Sequence, residues 1–420
     1  MSRFPKISET FILYEILELG KLGLDIEIFP LVHHREPVKH SEADALAQHT
    51  HYYPLLSWAV LTAQFFWLRR RPTAYLGAWW GAIRGNLRSP KFLSRALAVV
   101  PLAALFARQM QTLGVTHVHA HWATHPALAA YIIRQLTGLS YSFTAHSHDI
   151  QADRTMLGEK IRHSRFVITI SEHNRNFIGA LYGPTAVDKT RVVHCGIDPE
   201  VFQPRQDRKP NATFTIACVA RLEEIKGHTY LIEACAYLKD RGIPFRCLLI
   251  GDGLTRPQIN AQIASLKLEN HVSLLGSQPQ HQVRELLAGA DVVVLPSITH
   301  KGRKEGIPVS LMEALAMELP AVSTAGSAIP ELIEDGVAGL IVPERDARAL
   351  AEALIRIYTQ PEQSLQFGKA GREKVLREFN LHRNARVLNE LFLHNPDSKN
   401  EVPAQHFPAI AVTAEQKYDS

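Results

Sequence analysis

Glu305 and Glu313 stand eight positions apart in the run Glu305-Gly-Ile-Pro-Val-Ser-Leu-Met-Glu313. If both lay on one helix they would be up to ~12 Å apart, far enough to grip hydroxyls on each side of an anion. A helix starting near Pro308 adds free N–H groups and a positive dipole end, with Gly306, Ile307 and Pro308 at its mouth. The plainer reading is a helix-start acid followed by an ordinary surface glutamate, and spacing alone leaves both open. Arg221 and Lys226, in Ala220-Arg-Leu-Glu-Glu-Ile-Lys-Gly227, supply a guanidinium fork and a mobile point charge suited to phosphate oxygens. Alone, they read as a solvated loop pair. Together, the four residues describe two cations for a diphosphate and two carboxylates for sugar hydroxyls. Gly251 and Gly253 form a lone GxG that would let backbone approach a nucleotide.

A second cluster is made of histidines. His117, His119 and His121 alternate, so on a strand they share one face and could form a metal triad. No Asp or Glu accompanies them, and the alternative is a strand-end loop lining an acceptor cleft. The four cysteines (Cys195, Cys218, Cys235, Cys247) form no CxxC, which argues against disulfide frameworks and thiolate zinc and suits a reducing, cytoplasmic compartment.

These groups need a scaffold, and the chain's pattern supplies one. From Thr213, apolar strand-like runs alternate with helical patterns: 213–220, 245–251, 271–276, 291–297, 320–326 and 338–344. Strands apolar throughout and separated by helices indicate a doubly wound parallel sheet. The first half alternates more weakly, with strands expected at 24–31, 116–121, 139–146, 165–171 and 190–196. The expected division is an α/β first half over 1–197, a linker over 198–212 and a second half over 213–375. A helix over 376–394 then packs back, and a disordered polar tail covers 395–420. Two such halves enclose a cleft.

Composition is that of a folded protein, 46% hydrophobic and 21% charged in 420 residues. The net charge of +5 is regional. Ala45 to His148 contains no Asp or Glu and nine of the 46 Lys+Arg; the other 37 are outnumbered by 41 acids. Within that stretch an apolar run, 52–68, ends in Arg69-Arg70-Arg71 and carries Trp58 and Trp67. A second, 92–106, carries Arg95; both are too short and interrupted to span a bilayer. Rings and cations at an apolar edge suit a helix lying on an anionic membrane surface, with Arg69, Arg70, Arg71, Trp58 and Trp67 as the docking residues. A buried helical hairpin with solvated cations is the other reading. No nucleic-acid motif is present.

The runs RLEEIKG, LLIGDG and above all EGIPVSLMEALA resemble the donor half of retaining glycosyltransferases of family 4, which have the GT-B fold. SRFPKISETFI, SFTAHSHDI and ITISEHN extend the resemblance over nearly the whole chain, towards bacterial exopolysaccharide, lipopolysaccharide and colanic-acid-type enzymes. The resemblance implies two Rossmann-like halves facing across a cleft and transfer of a hexose, with retention and without a metal or other cofactor. The donor is a nucleotide-diphosphate sugar and the acceptor a lipid-linked or oligosaccharide chain, at the inner membrane surface. It implies that Arg221 and Lys226 hold the diphosphate, Glu305 the transferred sugar, Glu313 the ribose, and the backbone around Gly306, Ile307 and Pro308 the sugar site. The histidine near the anomeric carbon would be His146, with His148 as the other candidate.

Relatives of this kind begin with an apolar strand ahead of the SRFPK–SETFI run, and here Met1 stands directly before Ser2. The expectation is that this strand is missing, either because the true start lies upstream or because the first sheet lacks it. Two other functions fit parts of the pattern: a nucleotide-sugar epimerase of similar architecture, and a non-catalytic scaffold. Donor base, sugar, acceptor and linkage are not encoded in these motifs.

Overall fold

The structure, a computed structural model, describes residues 1–4, 10–32, 41–151, 154–205 and 213–393. Residues 206–212 of the expected linker, and the expected tail, lie outside the described residues. Ten parallel strands form two sheets. The first contains β1 (His117–His121), β2 (Ser140–Ala145), β3 (Phe166–Thr169) and β4 (Thr190–Val192), in that spatial order. The second contains β5 (Phe214–Val219), β6 (Phe245–Ile250), β7 (Val272–Gly276), β8 (Val292–Leu295), β9 (Ala321–Thr324) and β10 (Gly339–Val342). Its order is β10-β9-β8-β5-β6-β7.

Each run expected to form a strand from 116 onward contains one. The run 24–31 does not: its only pairing is an isolated bridge, Ile28 to Thr50. The reason is visible beside it. A cavity of about 420 Å³ separates this segment from the free edge of β1, walled by Ile28, Leu31, Phe106, Val118 and Phe392. Among the described residues β1 therefore pairs on one side only.

The second half is held by one apolar core in which β8 and β9 are buried throughout. Helices on both faces meet it through Leu231, Leu238, Leu311, Leu315, Leu350 and Leu354, each worth about 1.5–3 kcal/mol in removed apolar surface.

Ahead of β1, the acid-free stretch of the first half contains three consecutive α-helices: Trp58–Arg70, Pro72–Asn86 and Pro90–Thr112. The last is longer than its apolar run. At 23 residues it is long and apolar enough to cross a membrane, yet Val99, Val100, Leu102 and Ala103 to Ala107 are core residues packed on the helix His125–Thr137. The helix Trp58–Arg70 carries two apolar stripes. Val60, Ala63 and Trp67 face inward; Trp58, Leu61, Phe65 and Leu68 face out. This corrects one docking residue: Trp67 has no exposed surface and its indole N–H donates to the Ala104 carbonyl at 2.7 Å.

Two backbone crossings join the halves, and they touch. Ile197 accepts from the Leu381 N–H and donates to the Phe379 carbonyl, forming a bridge with Asn380. The expected break at 375/376 falls inside the helix Pro361–Glu378; the returning helix is Leu381–Leu393. It packs on the helix Thr10–Lys21, with Ala385 and Leu388 against Leu19, Phe166 and Ile168.

Candidate active site

The second sheet reverses direction at β5 and β8: β5 leads on to β6 on one side, β8 to β9 on the other. Such a switch point opens a crevice beyond the carboxyl ends of the two strands. The turn after β5 carries Lys226 and the loop after β8 carries Glu305. They meet there, with Lys226 Nζ 2.6 Å from Glu305 Oε2 and Ser297 Oγ 3.4 Å from the same oxygen. Both side chains are more than four-fifths buried.

The local chain is shaped to bring these loops together. The Ile298 N–H donates to the Ile225 carbonyl at 2.8 Å, joining them directly. Gly227 sits at φ +69°, and a Cβ there would run into the Pro296 carbonyl, so only glycine fits. Glu344 clamps the far side of the loop, accepting from the Thr299 N–H at 2.7 Å and its hydroxyl at 3.0 Å. Gly251 and Gly253 are explained by the same packing. A Cβ on either would collide with the carbonyls of Ala220 and Leu222, so they let loop lie on loop.

Glu305 and Glu313 are not on one helix. The helix is Val309–Ala316, which leaves Glu305 in the preceding loop and only Glu313 in the helix. Pro308 at its N-cap, with extended backbone, ends the strand-like approach as proline tends to do. Glu313 is partly buried, and that burial pushes its carboxyl up to about 7, with the Gln280 side chain opposing the shift. Of the four residues, the structure joins Lys226 and Glu305; Arg221 pairs elsewhere. Its side chain is 64% exposed and paired with Glu223.

Across the cleft stands the loop after β2. A Cβ on Gly306 would lie 3.2 Å from Ser147 Oγ and 3.4 Å from Ile170 Cδ1, so the Glu305 loop touches the first half directly. Ser147 holds φ +77°, a strained conformation at a contact point. Asn174 fixes its hydroxyl at 2.9 Å. The neighbouring His146 is buried against Trp122 (4.5 Å between ring centroids) and Phe11 (5.2 Å). Among the described residues neither ring nitrogen has a hydrogen-bond partner, and burial lowers its pKa to about 3, so the ring is neutral. His148 is exposed on the start of the next short helix, which separates the two candidates.

Asp149 shapes that loop: its carboxylate accepts from the His146 N–H at 2.8 Å and the Ala123 N–H at 2.6 Å. Buried Lys160 donates to the Ala123 carbonyl and, at 3.3 Å, to that of Thr124. None of Ser147, Asn174 or Glu344 is signalled by spacing, because each acts through partners distant in the chain.

The histidine triad is a strand, and not a strand-end loop. His117 bonds Ser140 and Ser142 at 2.8 and 2.7 Å, and His119 bonds Ser142 and Thr144 at 2.8 and 2.9 Å. Four ring nitrogens are thus spent on hydroxyls, which leaves no convergent set for a metal.

Residues 201–374 match the model of "Glycosyl transferases group 1", and residues 80–201 that of "Glycosyltransferase Family 4". The chain is 31% identical over 412 residues to the amylovoran biosynthesis glycosyltransferase AmsK of Erwinia amylovora, covering 93% of this chain and 97% of that one. It is 32% identical over 406 residues to the Escherichia coli K12 protein named for colanic acid biosynthesis, glycosyltransferase WcaL, covering 90% and 94%.

The chain is a group 1 glycosyltransferase.

Its fold agrees. A glycosyltransferase from Rickettsia africae superposes with a TM-score of 0.68 at 18% identity, covering 94% of this chain and 98% of that one. Anabaena HepE, solved with UDP-glucose, superposes at 0.67 with 16% identity, covering 92% and 96%. This glycosyltransferase therefore has the two-half GT-B architecture, and the Lys226–Glu305 crevice lies on the cleft side of its second half.

Proposed function

We propose that this glycosyltransferase moves a hexose from a nucleotide-diphosphate sugar to a lipid-linked or growing exopolysaccharide chain, with retention of anomeric configuration. The observation that carries this reading is the Lys226–Glu305 pair at the β5/β8 switch point, faced across the cleft by the His146–Ser147 loop. The relatives named for colanic acid and amylovoran biosynthesis, and HepE bound to UDP-glucose, favour the same chemistry.

Breaking the bond between the anomeric carbon and the diphosphate oxygen leaves negative charge on the departing phosphate and positive character on the sugar. Lys226, and Arg221 once it leaves Glu223, balance the phosphate charge; the N-terminus of the helix Val309–Ala316 adds its dipole. These groups make a metal unnecessary for charge balance. Glu305 accepts hydroxyls of the transferred hexose and Glu313 those of the ribose. Neutral His146 offers a dipole beside the anomeric carbon. The acceptor hydroxyl attacks from the face the phosphate leaves, forming the new glycosidic bond and giving its proton to the departing phosphate oxygen.

The outward face of the helix Trp58–Arg70 and its neighbour supports membrane docking. Trp58 is 80% exposed and Trp80 65%. Leu61, Phe65 and Leu76 lie exposed nearby, rimmed by Arg69, Arg70 and Arg71. We read this as a peripheral contact with anionic lipid at the inner face of the cytoplasmic membrane.

The test is an assay with a panel of nucleotide sugars, with and without membrane-lipid extract and with and without a chelator. The expected result is acceptor-dependent, chelator-insensitive transfer giving a product of unchanged anomeric configuration by proton NMR. Nucleotide release that ignores the acceptor indicates an epimerase, and an inverted linkage or chelator inhibition overturns the mechanism.

A further inference from the structure

A carboxylate of the second half caps a helix of the first. The helix Glu172–Tyr182 starts just beyond β3, in the run Ile170-Ser-Glu-His-Asn174. The leading N–H groups of a helix have no partner within it and must find one elsewhere. Asn174 finds its own locally, donating to the hydroxyl of the N-cap Ser171 at 3.2 Å. The two before it are met from across the cleft. Glu331 Oε1 accepts from the His173 N–H at 2.7 Å, and Oε2 accepts from the Glu172 N–H at 2.9 Å. Both oxygens of one carboxylate thus sit on the positive end of the helix dipole.

Glu331 stands on the short helix Ile329–Leu332 that follows β9, so the contact joins residues 158 and 159 positions apart. Among the described residues its carboxylate bonds nothing in its own half. The same helix turn leads on to the cleft. Asn174 is fully buried and donates from its side chain to Ser147 Oγ at 2.9 Å. Ser147 is the residue with φ +77° beside His146, and the one that meets Gly306. One turn of helix is therefore bound on one side to the second half and on the other to the loop that carries His146.

We propose that Glu331 is a positioning residue: by capping the helix Glu172–Tyr182 it seats the second half on the first and sets the His146–Ser147 loop against the Glu305 loop for transfer. The proposal rests on the reading of that cleft given above. Lys226, Glu305 and Glu313 all belong to the second half. Loss of the cap therefore spares nucleotide binding and weakens only the step that needs both halves.

The experiment compares the full-length wild type with Glu331→Ala, Glu331→Gln and Glu305→Ala, and with Glu334→Ala as an exposed control close by. It measures binding of UDP and GDP, transfer from whichever sugar nucleotide the panel above shows to be used, and amide hydrogen exchange. Glu331→Ala is expected to lower kcat about 10-fold with nucleotide affinity unchanged, the scale of a hydrogen bond to a charged group. Glu331→Gln keeps one acceptor oxygen and should lose only about 3-fold. Glu334→Ala should match the wild type. Without any substrate, the amides of Glu172 and His173 should exchange faster in Glu331→Ala while β3 and β9 keep their protection.

An unchanged kcat, or unchanged exchange at Glu172 and His173, overturns the proposal. A parallel loss of nucleotide affinity or of protection in β9 also overturns it, because Glu331 would then support its own half. A Glu305→Ala variant with full transfer overturns the reading of the cleft first, and the proposal with it.

Discussion

The two halves answer the same structural problem with different interiors. The second half fills its sheet with aliphatic side chains and keeps charge at the strand ends, where Lys226 and Glu305 meet. The first half buries titratable groups within its sheet: His117, His119 and His121 on β1, and His146 just beyond β2. Burial holds each of them neutral, with His117 lowered to about 4 and His146 to about 3. Buried histidines are thus concentrated in the first half, with His228 as the counterpart in the second.

The largest expected effect follows from that contrast. A buried neutral histidine has its folded pKa below its unfolded one, so its contribution is complete above ~6.5 and is lost as pH falls towards the folded value. Each costs about 1.4 kcal/mol per pH unit in that window. The first half holds four such groups, offset in part by Glu15, raised to about 8, and Asp149, raised to about 6, whose slopes run the other way; the second half holds His228, lowered to about 4. Hydrogen exchange at pH 7 and pH 5 should show the β1–β2 region losing protection while β5 and β8 keep theirs. Simultaneous loss in both sheets would erase the contrast.

Next in size is Trp67→Ala, expected to cost about 3–5 kcal/mol by the cavity it leaves. Trp58→Ala should stay within about 0.5 kcal/mol and weaken vesicle binding instead. Denaturant titration and liposome sedimentation separate the two tryptophans, and similar stability losses would mean that both belong to the core.

Glu305→Ala should lower kcat by about 10²-fold or more, as expected for loss of a transition-state contact, with the melting temperature retained. Replacing Arg69, Arg70 and Arg71 by alanine should weaken binding to anionic vesicles by up to ~10²-fold, at about 1 kcal/mol per cation. Donor affinity should not change. If it does, the basic face and the donor crevice are not independent.

The smallest effect concerns Glu313. On its proposed role as ribose ligand, ionisation of its carboxyl, raised to about 7, strengthens the grip on the hydroxyls, so the donor's KM should fall as pH rises through that value. In Glu313→Gln this slope should flatten. A slope that persists in the variant assigns the titration elsewhere.

The second sheet was readable because each of its strands is buried on both faces and flanked by helices, which leaves an uninterrupted apolar run. The Lys226–Glu305 pairing was accessible as two motifs at the ends of strands that become neighbours. What could not be read was orientation. Trp58 and Trp67 share one helix with two apolar stripes, and only the packing of Ala63 against the neighbouring helices decides which stripe turns inward. Likewise the distance between Glu305 and Glu313 depended on where the helix begins, and Pro308 placed that point between them. Glu331 and the helix Glu172–Tyr182 left no local trace of their pairing, because it exists only once both halves are folded.

The contact between the two backbone crossings has a mechanical meaning. Gly196 lies so close to the second crossing that a Cβ there would strike the Leu381 backbone. Two covalent tethers held side by side act as a single pivot: the halves can swing about it, but sliding past one another would shear the Ile197–Asn380 bridge. The missing side chain at Gly196 is what lets the two crossings lie this close.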